Sequence, residues 1–447
     1  MLLGLIRRNN AYFGVRETLL DLYGAALAAA EPGGAVARDL AKRPLLPHRP
    51  VRIFALGKAA PAMARAAVDA VRARGLSLAG GALVAPEPGA SPHPGLRAAV
   101  GNHPVPGDAS FAAAELVAEV ARAVLPQEQV LVLLSGGTSS LIGAPIPRVP
   151  RHEFRAYWEL LLRSGVDIRV MNAARKRFTR WGAGRLAIAL PQVPVRVLLV
   201  SDVIGDDPAT IASGPCTPDG WSAPEVLRTL DEAGLLEALP QSIRRLLEAQ
   251  AGGAAPETPK PGDPAFAQVE THIVANNRRA LLGVVARAQA LDLPVLAGAS
   301  DLAGDAKEVG TRLAAFLKSG GGGASCFVWG GETTVRLTEG PAGLGGRCQE
   351  LALAAAEELA GVPGVALLAA GTDGRDGPTD AAGALIDGET WQRVAAAGRD
   401  PGVDLQQHDA YRALDAAGAL IRPGPTGTNV MDVVIGLRQG WSSSGGV

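Results

Sequence analysis

The sequence predicts an α/β protein of two domains, on three observations. Short apolar runs alternate with longer stretches of helical periodicity along the 447 residues. Nearly every apolar run ends in a loop that contains Gly, Ser, Asp or Asn. The chain is also longer than a single domain usually is. Continuous apolar strands joined through helices are typical of parallel sheets covered on both faces, and such sheets bind ligands at the carboxyl ends of their strands.

The clearest strands follow one another along the chain. The first precedes the helical pattern KAAPAMARAAVDAVRA, and the third follows another helical stretch. Because each strand runs into a polar loop, we expect the chemistry of the protein to lie in these loops. The predicted strands are RIFALG (52–57), VLVLLSGG (130–137), VRVLLVSD (195–202), THIVANN (271–277), CFVWGGE (326–332) and VALLAAGTDG (365–374).

One stretch predicts a linker between the two domains. AGGAAPETPKPGD, at 251–263, is rich in Pro, Gly and small polar residues and has no periodicity. We therefore expect an N-terminal α/β domain over 1–262, a smaller C-terminal α/β domain over 263–440 and a flexible tail over 441–447.

Composition and charge exclude several classes of function. Hydrophobic residues make up 47% of the chain, the formal net charge is −1, and basic residues form no run, so we expect neither nucleic-acid nor membrane binding. No apolar stretch approaches the roughly 20 residues of a membrane span, and the N-terminal MLLGLIRRNN has the wrong order for a signal peptide. Three cysteines supply neither a disulfide framework nor metal-ligand spacing. The sequence predicts a cytoplasmic protein, monomer or homodimer, with a small-molecule ligand.

The N-terminal half holds a glycine loop that could bind an anion. LSGGTSS follows a buried strand, and adjacent glycines let backbone amides approach phosphate or carboxylate oxygens. An ordinary strand-to-helix turn with a hydroxyl cap explains the loop equally well, and it matches neither a P-loop nor G-x-G-x-x-G. The candidate ligand-binding residues are Ser135, Gly136, Gly137, Thr138 and Ser139.

Further candidates in this half lie at other strand ends. Lys58, in ALGKAA, could meet a phosphate as a point charge, although a surface lysine is the alternative. Asp202 ends a strand where functional carboxylates usually lie, whereas Asp206 and Asp207 more simply cap the next turn. The remaining candidates are Ser213 and Gly214 in ASGP, and His103 in NHPVPGD, for which a structural role is equally plausible.

The C-terminal half supplies a second set. Arg347 begins an amphipathic helix after a glycine-rich loop, which suits forked binding of a carboxylate or phosphate. Asp373, Asp376 and Asp380 lie in one glycine-rich loop, a reasonable Mg²⁺ or nucleotide site. Other candidate substrate or phosphate ligands are Asn276, Glu332, Thr428 and Asn429. From the residues alone, the sequence predicts a phosphate-handling α/β enzyme; it has no plausible Ser-His-Asp set.

Six blocks, in this order, resemble the glycerate 2-kinase family: SGGTSSL, SDVIGDDPATIASGP, GETTV, GGRCQELAL, GTDGRDGPTDAAGA and GPTGTNV. The resemblance extends from about residue 16 to residue 437. It implies an N-terminal Rossmann-like α/β/α domain and a smaller C-terminal α/β domain of the MOFRL type, with the active site between them. It also implies ATP-dependent phosphorylation of D-glycerate on its 2-hydroxyl, giving 2-phosphoglycerate and ADP, with Mg²⁺ as the divalent cation.

The resemblance also implies roles for particular residues. Lys58 and Arg347 match basic residues that act in catalysis or bind phosphate, and Asp202 matches an acid that orients or deprotonates the attacking hydroxyl. Asp373 and Asp376 would bind Mg²⁺ or nucleotide. Whether Arg347 holds the phosphoryl group or the substrate carboxylate stays open.

Four positions depart from the family pattern. Cys348 and Met431 each replace a common Asn, while Arg177 replaces His and Gly182 replaces Lys. Two rival functions therefore stay open. One is an NAD(P)H-dependent hydroxypyruvate reductase, against which the missing G-x-G-x-x-G counts. The other is a catalytically idle protein that binds the ligand and has kept the fold.

Overall fold

The computed structural model describes residues 11–166, 168–297, 301–319, 325–337 and 342–439. The chain forms two compact units. The central unit is Pro32–Val274, and the terminal unit combines Met1–Glu31 with Ala275–Val447. The expected flexible tail at 441–447 lies outside the described residues.

Strands and helices alternate through most of the chain. The strands are β1 (Val51–Leu56), β2 (Leu78–Ala85), β3 (Leu96–Val100), β4 (Gln129–Leu134), β5 (Val195–Val200), β6 (Val269–Ala275), β7 (Val295–Ala297), β8 (Ser325–Gly331), β9 (Val365–Gly371), β10 (Gly383–Asp387), β11 (Leu420–Ile421) and β12 (Asp432–Arg438). The helices are α1 (Ala11–Ala29), α2 (Pro32–Lys42), α3 (Ala60–Ala73), α4 (Asp108–Arg122), α5 (Thr138–Leu141), α6 (Arg151–Arg163), α7 (Ile168–Phe178), α8 (Arg185–Ile188), α9 (Ala223–Glu232), α10 (Gln241–Ala251), α11 (Asn277–Ala290), α12 (Ala306–Ser319), α13 (Arg347–Glu358), α14 (Thr390–Ala396), α15 (Pro401–Gln406) and α16 (Ala410–Ala416).

The central unit is built on a six-stranded sheet in the order β3-β2-β1-β4-β5-β6. The pairs β3–β2, β2–β1, β1–β4 and β4–β5 are parallel. Every residue of β1 and β4 is buried, as expected for apolar strands covered on both faces. The order reverses between β1 and β4, and ligands of such sheets bind outside the carboxyl ends of the strands at this reversal. The predicted α/β/α domain of Rossmann type is confirmed.

The terminal unit has a mixed sheet in the order β11-β10-β9-β12-β8-β7. Only β7 and β8 form a parallel pair among its described strands, while β8–β12, β12–β9, β9–β10 and β10–β11 are antiparallel. The expectation of a parallel sheet was therefore wrong here. The reason is that β9 returns directly through the loop 372–382 to β10 with no crossover helix, and β12 inserts between β9 and β8.

The limits of the units differ from the predicted domains. The stretch 251–263 is not an interdomain linker but part of the central unit. Its Thr258 is buried and donates a 2.8 Å hydrogen bond to Asp219, so the segment packs into its own unit despite its composition. Helix α1 belongs to the terminal unit, where Tyr23 donates a 2.7 Å hydrogen bond to the carbonyl of Gly371. Among the described helices, none is long and apolar enough to cross a membrane.

Candidate active site

Lys58 lies directly after β1, at the carboxyl edge of the central sheet. Gly57 has φ of 122°, and a Cβ there would lie 2.2 Å from the hydroxyl of Ser135, so only glycine permits this close approach of neighbouring strand ends. The Lys58 amide then donates to the carbonyl of Gly136 at 3.0 Å. The Lys58 side chain is exposed and forms no ion pair within the described part of the chain, which leaves its charge available to an anion.

In the glycine loop after β4, two hydroxyl groups point into the interior, whereas three backbone amides lie at the edge of the sheet. Ser135 accepts a hydrogen bond from the Ala59 amide at 3.0 Å, and Thr138 donates to the Leu56 carbonyl at 2.8 Å. Both side chains are buried, so their predicted role as ligand contacts is corrected: these hydroxyls tie β4 to β1. In contrast, no hydrogen bond to the described residues is made by the amides of Gly136, Gly137 and Ser139.

Asp202, two residues beyond β5, lies against the same loop. A Cβ added to Gly136 would be 2.2 Å from Asp202 Oδ2, so the carboxylate occupies the space above the glycine. Burial raises the pKa of Asp202, and the positive charge of Lys58 opposes that shift in part. A carboxylate with a raised pKa next to a cation is a suitable base for a hydroxyl proton.

His103 lies on the other side of the loop, in a cis peptide with Pro104. A Cβ added to Gly137 would lie 3.2 Å from His103 Cδ2 and 3.3 Å from Lys58 Cγ. Desolvation and the charge of Lys58 lower the pKa of His103, so the ring is neutral at neutral pH. It can therefore exchange a hydrogen bond with a ligand but adds no charge.

The segment around Ser213 completes this edge of the sheet. Ala212, Ser213 and Gly214 all have positive φ, which forms a sharp turn. The hydroxyls of Ser213 and Ser139 are 2.7 Å apart, so the turn is joined to the glycine loop. Hence the structure brings together Lys58, His103, Gly136, Gly137, Ser139, Asp202, Ser213 and Gly214 in one cluster at the carboxyl edge, which we call the lysine cluster.

In the terminal unit, Arg347 is held by two carboxylates. Asp432 accepts from its Nε at 2.6 Å and from its Nη2 at 2.9 Å, and Glu332 lies 2.7 Å from Nη1. Burial opposes the charge of Arg347, but these two acids outweigh it and raise its pKa. The hydrogen bonds to Asp432 use two of the five N–H groups of the guanidinium, and Glu332 pairs with it at Nη1 without a hydrogen bond. Glu332, predicted as a ligand contact, orients Arg347 instead.

Sequence reasoning missed Asp432 because it is 85 residues from Arg347 in the chain. It is the first residue of β12, at the end of the GPTGTNVMD motif. Asn277, also missed, supports it from within the unit. Its side chain donates to the carbonyls of Val430 and Asp432, at 2.9 Å each.

The predicted pair of metal ligands does not form as expected. Asp376 is 3% exposed and accepts the amides of Cys348 and Gln349, so its carboxylate caps the start of α13. Burial raises the pKa of Asp376 to about 7, against these hydrogen bonds, which lower it. Asp373 accepts the amide of Arg375, and Asp380 pairs with Arg422 at the surface. No group of three or more metal-ligating side chains occurs within the described ranges.

Three other predicted contacts serve the backbone. Asn276 caps α11 by accepting the Arg279 amide at 3.0 Å. Thr428 is 6% exposed and donates to the Ala30 carbonyl, so its hydroxyl is not open to a ligand. Asn429 accepts the amide of Met431 in a local turn.

The departures from the family pattern are accommodated in the interior. Arg177 is fully buried and lies 2.6 Å from Glu257 and 3.6 Å from Asp219, so it anchors the 251–263 stretch. Cys348 is buried, and burial raises its pKa, so the thiol is neutral. Met431 contributes its carbonyl, which accepts the Thr372 hydroxyl at 2.6 Å.

A pocket of about 480 Å³ lies beside Arg347 in the terminal unit. Its wall carries Val335, Leu337 and Pro378 together with the pair His408–Glu350, whose atoms Nδ1 and Oε2 are 2.9 Å apart. With Glu332 and Asp376 also on the wall, this pocket has more acidic groups than basic ones.

A sheet in this order, with a lysine, a carboxylate and glycine amides that make no hydrogen bond to the described residues at its carboxyl edge, is typical of α/β enzymes that handle anionic ligands. Two protein families match this chain. Residues 18–248 match the family described as "Domain of unknown function (DUF4147)", and residues 325–432 match the MOFRL family.

Similar proteins cover almost the whole chain. D-glycerate 2-kinase of Thermotoga maritima is 34% identical over 95% of this chain and 98% of its own length. Glycerate 2-kinase of Pyrococcus horikoshii is 32% identical over 95% and 97%. The crystal structure of the glycerate kinase of Thermotoga maritima superposes with a TM-score of 0.84, covering 95% of this chain and 99% of that one. The protein belongs to the glycerate 2-kinase family.

Proposed function

We propose that this protein is an ATP-dependent glycerate 2-kinase that phosphorylates the 2-hydroxyl of D-glycerate. The observation that carries the proposal is the lysine cluster. There the Lys58 side chain lies against Gly137 and the half-buried carboxylate of Asp202 lies against Gly136, next to backbone amides that make no hydrogen bond to the described residues. Relatives named glycerate 2-kinase support the choice of acceptor. The substrates are small molecules, and the reaction takes place in the cytoplasm without a nucleic acid or a membrane.

Asp202 acts as the base in this proposal. The 2-hydroxyl oxygen of glycerate forms a bond to the γ-phosphorus of ATP, while the bond from that phosphorus to the β,γ-bridging oxygen breaks. The hydroxyl proton passes to Asp202, and ADP leaves with the bridging oxygen. The raised pKa of Asp202 favours this transfer, since a stronger base takes an alcohol proton more readily.

Positive charge and amide donors stabilise the transferring group. Phosphoryl transfer depends mainly on positioning and on electrostatic stabilisation of the phosphoryl oxygens. In the central unit, Lys58 and the amides of Gly136, Gly137 and Ser139 supply that charge. The neutral ring of His103 orients an oxygen by hydrogen bonding without competing for the anion.

Arg347 supplies the second cation of the proposed reaction. Because Asp432 and Glu332 hold it, its orientation is fixed before a ligand arrives, and the N–H groups that Asp432 does not take are available to a carboxylate or phosphoryl group. We propose that Arg347 binds an anionic oxygen of the reactants and that its loss lowers kcat.

Mg²⁺ enters this proposal as part of the nucleotide. Asp376 is committed to the start of α13 and does not fit a metal ligand, so no step is assigned to a protein-bound metal. Mg²⁺ bound to nucleotides takes mostly phosphate oxygens and water, with one or two carboxylates. Asp373 is the one member of the predicted pair that fits such a role.

A coupled assay of ADP release with D-glycerate and ATP·Mg²⁺ tests the function, with the product identified by ³¹P and ¹³C NMR. We expect 2-phosphoglycerate, and we expect Lys58→Ala to lower kcat by about 100-fold or more, as loss of an electrostatic donor does. Formation of 3-phosphoglycerate would contradict the assignment of the 2-hydroxyl. NADH oxidation with hydroxypyruvate in place of kinase activity would favour the reductase.

A further inference from the structure

A second depression lies on the central unit beside the lysine cluster. It has a volume of about 230 Å³ and is formed at the carboxyl ends of β2 and β3, next to the first turn of α3. We call it the edge groove. Pro61, Leu83, Ala85, Ala98 and Val100 give it apolar walls.

The edge groove adjoins the lysine cluster through shared elements. β1 and β2 are parallel neighbours, so their carboxyl ends lie side by side, and the Gly57 amide donates to the Val84 carbonyl at 3.0 Å. Pro61, in the wall of the groove, follows Lys58 by three residues in the same loop-to-helix turn. If the phosphates of a ligand contact Lys58, the other end of that ligand can therefore lie in the adjacent edge groove.

The lining of the edge groove has one charge within the described residues, the carboxylate of Glu87. Glu87 follows β2 by two residues and is exposed. The carboxylate of Glu87 disfavours binding of a free phosphate or glycerate in the edge groove, because each of those ligands is anionic. The groove suits a nucleoside, since the base is flat and largely apolar and the ribose hydroxyls donate hydrogen bonds to a carboxylate.

We propose that the edge groove binds the adenosine end of ATP, with Glu87 accepting hydrogen bonds from the ribose hydroxyls. This inference rests on the proposed kinase function. Glu87 lies just beyond the carboxyl end of β2, at the edge of the sheet where ligands of such sheets bind. The pocket beside Arg347 is less suitable for polyphosphate, because Glu332, Glu350 and Asp376 line it.

Two variants test the inference on the full-length protein, with affinities measured by isothermal titration calorimetry. Ala98→Trp fills the groove from an exposed position, so folding is preserved, and Ala112→Trp, at an exposed position of α4 outside the groove, is the matched control. We expect Ala98→Trp to weaken ATP binding by about 10-fold or more, because the base loses its site. Inorganic tripolyphosphate should bind this variant and the wild type with affinities that differ by no more than about twofold.

Glu87→Gln tests the ribose contact. The wild type should bind ATP about 10-fold more tightly than 2′,3′-dideoxy-ATP, because a hydrogen bond to a charged group is lost in the analogue. In Glu87→Gln this preference should fall to about threefold or less. An unchanged preference would overturn the role of Glu87.

The outcomes separate this inference from the proposed function. If Ala98→Trp binds ATP as the wild type does, while the wild type phosphorylates D-glycerate, the groove assignment is wrong and the function stands. If ATP affinity falls in Ala98→Trp but the wild type transfers no phosphoryl group to D-glycerate, the groove assignment stands and the acceptor is wrong. A wild type that binds no ATP would overturn both.

Discussion

Gly136→Ala is the most direct test of the role assigned to Asp202. The added Cβ would lie 2.2 Å from Asp202 Oδ2, whereas an ordinary contact begins near 3.4 Å, so the carboxylate oxygen must retreat by about 1.2 Å. Gly136 lies outside the left-handed region, and alanine is therefore allowed by its backbone. The clash is with the end of a side chain, so the fold should absorb it.

The expected result is a large loss of kcat with little change in stability. A displacement of about 1 Å at a reacting group costs on the order of 100-fold in rate. We therefore expect Gly136→Ala to lower kcat by about 100-fold in the ADP-release assay, while the thermal midpoint changes by no more than a few degrees. Gly220→Ala is the control, because a Cβ at Gly220 meets no atom within 4 Å.

A double-mutant cycle shows whether the loss acts through Asp202. If it does, adding Gly136→Ala to Asp202→Asn should cause almost no further loss, since the displaced base is already absent. Two results would refute the reasoning: kcat of Gly136→Ala within about threefold of the wild type, or independent, multiplicative losses in the double variant.

Three further predictions concern the lysine cluster and the terminal unit. Because Asp202 must be ionised to act as the base, its raised pKa predicts that kcat/KM rises with pH through a midpoint above the ordinary Asp pKa of about 4. The variant Asp202→Asn should lack this acidic limb of the pH profile. If the variant retains the limb, the titration belongs to another group. Asp432→Asn keeps the shape of the side chain but removes the charge that holds Arg347, and we expect kcat to fall by about 10-fold or more; wild-type kinetics in this variant would contradict the positioning role. Asp376→Ala leaves two buried amides at the start of α13 without an acceptor and should lower the free energy of unfolding by about 1–3 kcal/mol. The control Asp376→Asn keeps one acceptor oxygen, so its free energy of unfolding should fall by less. An unchanged calorimetric midpoint for Asp376→Ala would exclude the capping role.

The sequence alone predicted where the chemistry of the central unit is concentrated. Continuous apolar runs followed by glycine-bearing loops predict parallel strands, and parallel strands place their carboxyl ends at one edge. Lys58, Gly136 and Asp202 could therefore be grouped although they are far apart in the chain. All six predicted strands occur, with ends displaced by only a few residues. The strands β2, β3, β7, β10, β11 and β12 were not predicted.

The tertiary structure decided which way the polar groups point and which distant residues meet. Ser135 and Ser139 belong to one loop, yet the first hydroxyl bonds the Ala59 amide and the second meets Ser213, because the close contact with β1 takes the first inward. Asp432 lies within hydrogen-bond distance of Arg347 only because β12 pairs antiparallel with β8 and β9. Local patterns fix strands and loops, whereas strand direction, register and ion pairs between remote segments depend on how the whole chain packs.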